Sequence, residues 1–192
     1  MNKREEIIRQ LEASAQVKQE MVSLCADSIE MSATLLISAL KDGHKVLWVG
    51  NGGSAGQAQH LSTELIGGLR DHTWKGSPSI SLTVDSSFIT AWANDVGFDS
   101  VFSQQVGALG MAGDVLVAIS TSGNSVNVIE AVKKAQTIGM KVIVFTGNSG
   151  GFLKPMGDVV ISIPSDDCQR IQEGHILAGH IMCELVEMEF IQ

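Results

Sequence analysis

The residues with the clearest chemical potential sit in the segment "SAGQAQHLSTELIGG" (54–68). His60 and Glu64 are four apart, so on a helix they share one face. An imidazole and a carboxylate one turn apart suit a zinc-like divalent cation or a general acid–base pair. On the other face, Ala58, Leu61 and Leu65 form an apolar stripe that can pack on a sheet. A plain surface His–Glu pair would read the same way, so the pair gains meaning only if it borders a crevice. A second set lies near the C-terminus, in "RIQEGHILAGH": Arg170, Gln172, Glu173, His175 and His180. Three or four of these could be ligands, and spacing does not choose among them. Glu173 and His180 nearly align on a helix, while Gln172 and His180 stand about 80° apart. His175 reads equally well as a packed histidine. His44 and His72 stand alone and are expected to be structural or solvent-exposed.

Two loops add to this. In "VGNGGSA", Gly50, Gly52 and Ala55 satisfy G-x-G-x-x-G/A, a pattern compatible with a dinucleotide. The acid that binds the ribose should follow by about 20 residues, and the candidate, Asp85, comes later. The alternative is a smaller ligand, with Asn51, Gly52, Gly53 and Ser54 letting the backbone approach and offering amide and hydroxyl groups. The second loop, "STSGNS", places Ser120, Thr121, Ser122 and Ser125 just before a helix. Hydroxyls and free backbone N–H groups at a helix start can hold a phosphomonoester without Lys or Arg. An N-cap at Asn124 or Ser125 would account for one of those hydroxyls but not for four.

Both loops need a sheet to set them opposite one another. Short apolar runs occur at 45–49, 79–84, 114–120, 141–146 and 158–163, as expected for strands buried on both faces. Helical patterns separate them at 54–67, 86–93 with 99–108, and 125–138. The last crossover, 150–156, is short and holds Pro155, and a final helix covers about 169–190. This alternation implies an α/β fold: a five-stranded parallel sheet flanked by helices, doubly wound in the flavodoxin manner with order 2-1-3-4-5. In that order strands 1 and 3 are neighbours, and the loops after them face each other across the switch point. Residues 1–42 carry helical periodicity up to Gly43, with a second helix start expected at Asp27 or Ser28. The chain is expected to be a single domain, 1–192, with 1–42 as helices for oligomer packing and 43–192 as the α/β core and C-terminal helix. The segment 69–78 is the most loop-like.

Composition bounds the rest. The 192 residues are 44% hydrophobic with a formal net charge of -8. No dense Lys/Arg cluster supports direct nucleic-acid binding. No apolar run reaches membrane-spanning length, and the N-terminal residues lack a signal-peptide core. Cys25, Cys168 and Cys183 are odd in number and widely spaced, which fits a reducing cytoplasm rather than a disulfide framework.

Taken together, "GNGGSA…AQH…E" (50–64), "WANDVGFDSVFSQQV" (92–106), "GDVLVAISTSGNSVNVIEA" (113–131) and "RIQEGH…H" (170–180) resemble the sugar isomerase (SIS) family, and most closely its bacterial phosphoheptose isomerases. The resemblance spans essentially the whole chain. It implies interconversion of sedoheptulose 7-phosphate and D-glycero-D-manno-heptose 7-phosphate through an enediol, an early step toward the heptose of lipopolysaccharide or capsule. It implies one zinc per subunit held by His60, Glu64, Gln172 and His180, with Glu64 as base and His180 as its acid partner. It matches Asn51, Gly52, Gly53, Asn94, Asp95, Ser120, Thr121, Ser122, Ser125, Glu64 and Gln172 to substrate contacts. A cytoplasmic homotetramer with sites completed across subunits is also implied. One departure stands out: similar sequences read Thr-Gly-Arg-Tyr after the Glu-bearing helix, whereas this chain reads Ile66-Gly67-Gly68-Leu69-Arg70, so the arginine is displaced. A rival of another class shares the fold: non-catalytic SIS tetramers that bind the bacterial replication initiator. They are less similar where metal and base should sit. An isomerase of another sugar phosphate is a nearer alternative, since fold and motif do not fix sugar length.

Overall fold

The computed structural model describes residues 2–191. Helix α1 (Lys3–Leu24) starts where the Asn2 side chain accepts the Arg4 N–H at 3.1 Å, and Glu5 and Glu6 complement its positive end. Helix α2 (Ala26–Lys41) follows after a 68° bend. The second helix therefore starts ahead of Asp27 and Ser28, at Cys25. That thiol is buried and points at the Ser162 carbonyl, 3.4 Å away, while Ser28 Oγ donates back to the Cys25 carbonyl at 2.9 Å. Burial of one small side chain sets the corner, not a polar cap.

Five strands form one parallel sheet in the order β2-β1-β3-β4-β5: β1 (Val46–Gly50), β2 (Ser79–Ser81), β3 (Val115–Ile119), β4 (Lys141–Thr146) and β5 (Val159–Ser162). The order and the doubly wound arrangement are those expected from the sequence. β2 stops short of 84 because it is an edge strand. Leu82 N–H still reaches the Trp48 carbonyl at 2.9 Å, but the chain then turns toward Asp85, whose carboxylate caps α4 (Ser86–Asp95) by accepting the Phe88 N–H.

Alternate residues of each strand supply two cores. Trp48, Val117, Ile119, Ile143, Phe145 and Ile161 pack against α2, α3 (Gly53–Gly67) and α7 (Cys168–Ile191). Leu47, Val49, Leu116, Ala118, Val142 and Val144 pack against α5 (Val101–Leu109) and α6 (Val126–Ile138). Asp114 ties the strand starts together: although burial works against its charge, bonds from the Lys45 side chain and from the Lys45 and Met111 N–H groups hold its carboxyl below the ordinary range. No single helix is long and apolar enough to cross a membrane among the described residues.

His175 belongs to this frame. It is 0% exposed, edge-on to Phe145, and its Nε2–H donates to the Thr146 carbonyl at 3.0 Å. Burial lowers its pKa from 6.5 to about 4. The folded state thus resists a proton that the unfolded chain accepts near pH 6.5. The stabilisation is complete above that pH and is lost as pH falls toward 4, amounting to roughly 3 kcal/mol. Urea midpoints measured from pH 7 to pH 4.5 should fall, and the slope should be shallower in His175→Gln. An identical slope in the variant would remove His175 from the explanation.

Candidate active site

The loops after β1 and β3 face each other at the switch point. α3 starts at Gly52 and α6 at Ser125, and neither helix has a side-chain cap. Ser125 occupies the N-cap position, yet its hydroxyl pairs with Ser120 Oγ at 3.0 Å instead. Ser54, Ala55 and Val128 N–H turn back to the Asn51, Gly52 and Ser125 carbonyls, which leaves the Gly53, Val126 and Asn127 N–H groups to open on the crevice, an arrangement that favours an anion. Ser122 Oγ accepts the Asn124 N–H at 3.1 Å, and the Thr121 carbonyl accepts the Gly147 N–H at 3.0 Å, so the hydroxyl loop is held from within and from β4. Asn51 reaches across the crevice: its carboxamide exchanges two hydrogen bonds with Asn127, at 2.8 and 2.9 Å.

Ala58, Leu61 and Leu65 pack α3 onto the sheet, which turns His60 and Glu64 toward α7. Gly179 lets the helices close up, because a Cβ there would stand 2.4 Å from Leu61 Cδ1. The next residue is His180, whose Nε2 lies 2.7 Å from His60 Nε2. Glu64 Oε1 is 3.2 Å from the same His60 atom. One donor atom from each of His60, Glu64 and His180 lies within 4.8 Å of the others. Two imidazole nitrogens and a carboxylate converging on one point fit a zinc-like cation that keeps a position open for another ligand. The Glu64 side chain is 15% exposed, enough to meet a small molecule and too little for full hydration.

The two alternatives on α7 part company. Glu173 accepts Ser14 Oγ and Arg170 Nη2, both at 2.6 Å, and is committed to α1. Gln172 instead lays its carboxamide against the first turn of α3: a Cβ on Gly53 would come within 2.5 Å of its Nε2. Gln57 donates to the Gln172 carbonyl at 2.6 Å. Gly53→Ala should therefore leave the fold intact, since the clash falls on a flexible side-chain end, while pushing the Gln172 amide away. Activity should fall by roughly 10- to 100-fold, the effect of a misplacement near 1 Å, with an unchanged melting temperature. Full activity would show that the Gln172 amide is dispensable.

Asn94 and Asp95 are not brought to this cluster. They lie exposed at the end of α4, Asn94 Nδ2 donating to Asp95 Oδ1 at 2.8 Å, and no hydrogen bond joins them to His60, Glu64 or His180 among the described residues. Arg70 belongs to the loop that follows α3. Its side chain is 71% exposed and pairs with Glu184, at 3.0 and 3.3 Å, one turn beyond His180. Two residues were overlooked at the level of sequence. Glu187, 2% exposed, accepts the backbone N–H groups of Arg70 and Asp71 at 2.8 to 3.0 Å and anchors that loop. Asn127, 3% exposed, is the partner of Asn51. Each is a polar residue within an apolar helical stripe, which was the available signal.

The fold and the converging donors define a doubly wound α/β protein with a candidate metal or acid–base site, and comparison with known proteins supplies its family. The SIS domain model matches residues 11–147. The phosphoheptose isomerase of Aquifex aeolicus is 49% identical over 174 residues, covering 91% of both chains. That of Helicobacter pylori strain P12 is 47% identical over 174 residues, covering 91% of this chain and 90% of its own. The solved phosphoheptose isomerase of Neisseria gonorrhoeae superposes with a TM-score of 0.93 at 43% identity, covering 97% of this chain and 100% of its own. The chain belongs to the SIS-domain family and, within it, to the phosphoheptose isomerases.

Proposed function

We propose that the protein interconverts sedoheptulose 7-phosphate and D-glycero-D-manno-heptose 7-phosphate through a cis-enediol. The observation that carries this reading is the meeting of Glu64 and His60 with His180 on α3, the helix whose own uncapped start faces that of α6. Ser120, Thr121, Ser122 and Ser125, with the first N–H groups of α6, hold the phosphate and so spend remote binding energy on positioning. Asn51, Gly52, Gly53 and Ser54 meet the sugar hydroxyls, and Gln172 orients the reacting end. Asn94 and Asp95 contact substrate in a neighbouring subunit's site.

Glu64 removes a proton from C1 of the ketose, and the electron pair forms the C1–C2 double bond as O2 gains a proton. O1 then gives up its proton, the C1 carbonyl forms, and Glu64 returns a proton to C2. His180 carries the proton between the two oxygens, a role its Nε2 can fill only while it is not a ligand to the ion. Glu64 has two carboxylate oxygens, so Oε1 can face His60 while the other works on carbon. His60, Glu64 and His180 would hold zinc, with Gln172 as fourth ligand, and the ion would polarise the carbonyl.

We further read the protein as a cytoplasmic homotetramer. Leu11 and Leu24 on α1, with Met188 on α7, are more than half exposed in the single chain, which supports helix packing between copies. The reading is tested by following the aldoheptose phosphate by NMR, with shorter ketose phosphates run beside it. Turnover of the seven-carbon ketose above the others is the expected result. Preference for a shorter sugar would reassign the substrate. Absence of turnover on every sugar phosphate would favour a non-catalytic SIS role.

A further inference from the structure

The crevice is bridged by one polar pair of which the chemistry above uses only Asn51. Asn51 lies in the loop after β1, and Asn127 lies in the first turn of α6, after β3. Their carboxamides bond reciprocally: Asn51 Nδ2 donates to Asn127 Oδ1 at 2.8 Å, and Asn127 Nδ2 donates to Asn51 Oδ1 at 2.9 Å. A carboxamide has two N–H donors and two acceptor lone pairs. The pair uses one of each and leaves Asn51 one N–H and one lone pair. Asn127 is almost fully buried while Asn51 is half-buried, so only Asn51 meets the crevice.

We propose that Asn127 is a positioning residue for sugar binding: it fixes the plane of the Asn51 carboxamide and locks the loop after β1 to the start of the phosphate-loop helix. This rests on the isomerase reading. Residues flanking Asn127 serve the same turn, since Ser125 pairs with Ser120. Losing Asn127 frees the Asn51 amide to rotate and lets the two halves of the crevice shift independently. An amide held by two bonds pays less ordering cost when substrate arrives.

The test compares wild type with Asn127→Ala, Asn127→Asp, Asn51→Ala and the double alanine variant. kcat and KM for sedoheptulose 7-phosphate are measured with melting temperatures, and exchange of the Asn51 side-chain amide protons is followed by NMR. Asn127→Ala should lower kcat/KM by roughly 10- to 100-fold, mostly through KM. The double variant should be no worse than the poorer single one, because the two residues act as a unit. Asn127→Asp carries its own control. As a carboxylate it sets an oxygen against Asn51 Oδ1, whereas its protonated form again donates there. Its deficit relative to wild type at the same pH should therefore shrink as pH falls, and a role in folding alone would not produce that recovery. The Asn51 amide protons should exchange faster in Asn127→Ala. Additive losses, a pH-independent deficit in the aspartate variant, or kcat/KM within about threefold of wild type would overturn the inference. If wild type does not turn over this ketose, the isomerase reading fails separately, and unchanged Asn51 amide exchange in Asn127→Ala would still overturn the positioning role.

Discussion

Glu64→Gln is expected to lower turnover by roughly 10²- to 10⁴-fold, the range for removal of a positioned general base. Glutamine keeps the size of the side chain and an oxygen that can face His60, but it cannot take a proton from carbon. Glu64 is placed by α3, whose Ala58, Leu61 and Leu65 are buried in the core, so the substitution should leave the fold unchanged. The base role and a ligand role are separated by adding zinc. A variant whose melting temperature still rises with zinc, yet which stays inactive, has lost the base. A variant that turns over within threefold of wild type would remove Glu64 from the chemistry.

The second large effect is expected on removing the proposed zinc. Chelation, or His60→Ala, should lower activity by roughly 10²-fold or more, because carbonyl polarisation supplies several kcal/mol at the transition state. A readout independent of turnover is available. Zinc at about 100 times its dissociation constant stabilises the folded state by about 2.7 kcal/mol. For a chain of this size that is a rise of roughly 5–10 °C in melting temperature. His60→Ala should lose most of that rise, since two of the three converging donors would remain. A wild-type protein that neither gains stability with zinc nor loses activity on chelation would leave an unassisted Glu64–His180 pair.

Much of this was legible in the sequence because the relevant signals are local. The apolar runs that become β1, β3 and β4 are buried along nearly their whole length, and that continuity gave away a parallel sheet. The spacing of His60 and Glu64 needed only helical geometry. What stayed hidden depends on contacts far apart in the chain. The corner at Cys25 is set by the carbonyl of Ser162, 137 residues away, so a search for polar caps looked at Asp27 and Ser28 instead. The helical wheel could not choose between Glu173 and Gln172, and only the fold shows Glu173 engaged by Ser14 of α1 and by Arg170. His175 lies between Gln172 and His180 in sequence yet faces Thr146 and Phe145 in the core. Arg70, read from the resemblance as a displaced arginine, is held one turn from His180 by the buried Glu187 carboxylate and the Glu184 pair.

The most direct test of the central claim is isomerisation of sedoheptulose 7-phosphate in D₂O, with the aldoheptose product read by proton and deuterium NMR. Proton removal from C1 by Glu64 and delivery to C2 passes the hydrogen through an exchangeable carboxyl. Deuterium should therefore appear at C2 of the product, and none should appear with Glu64→Gln. Product formed at full rate by Glu64→Gln, without deuterium at C2, would mean hydrogen transfer between the carbons without the carboxylate, and would contradict the enediol and the role of Glu64 together.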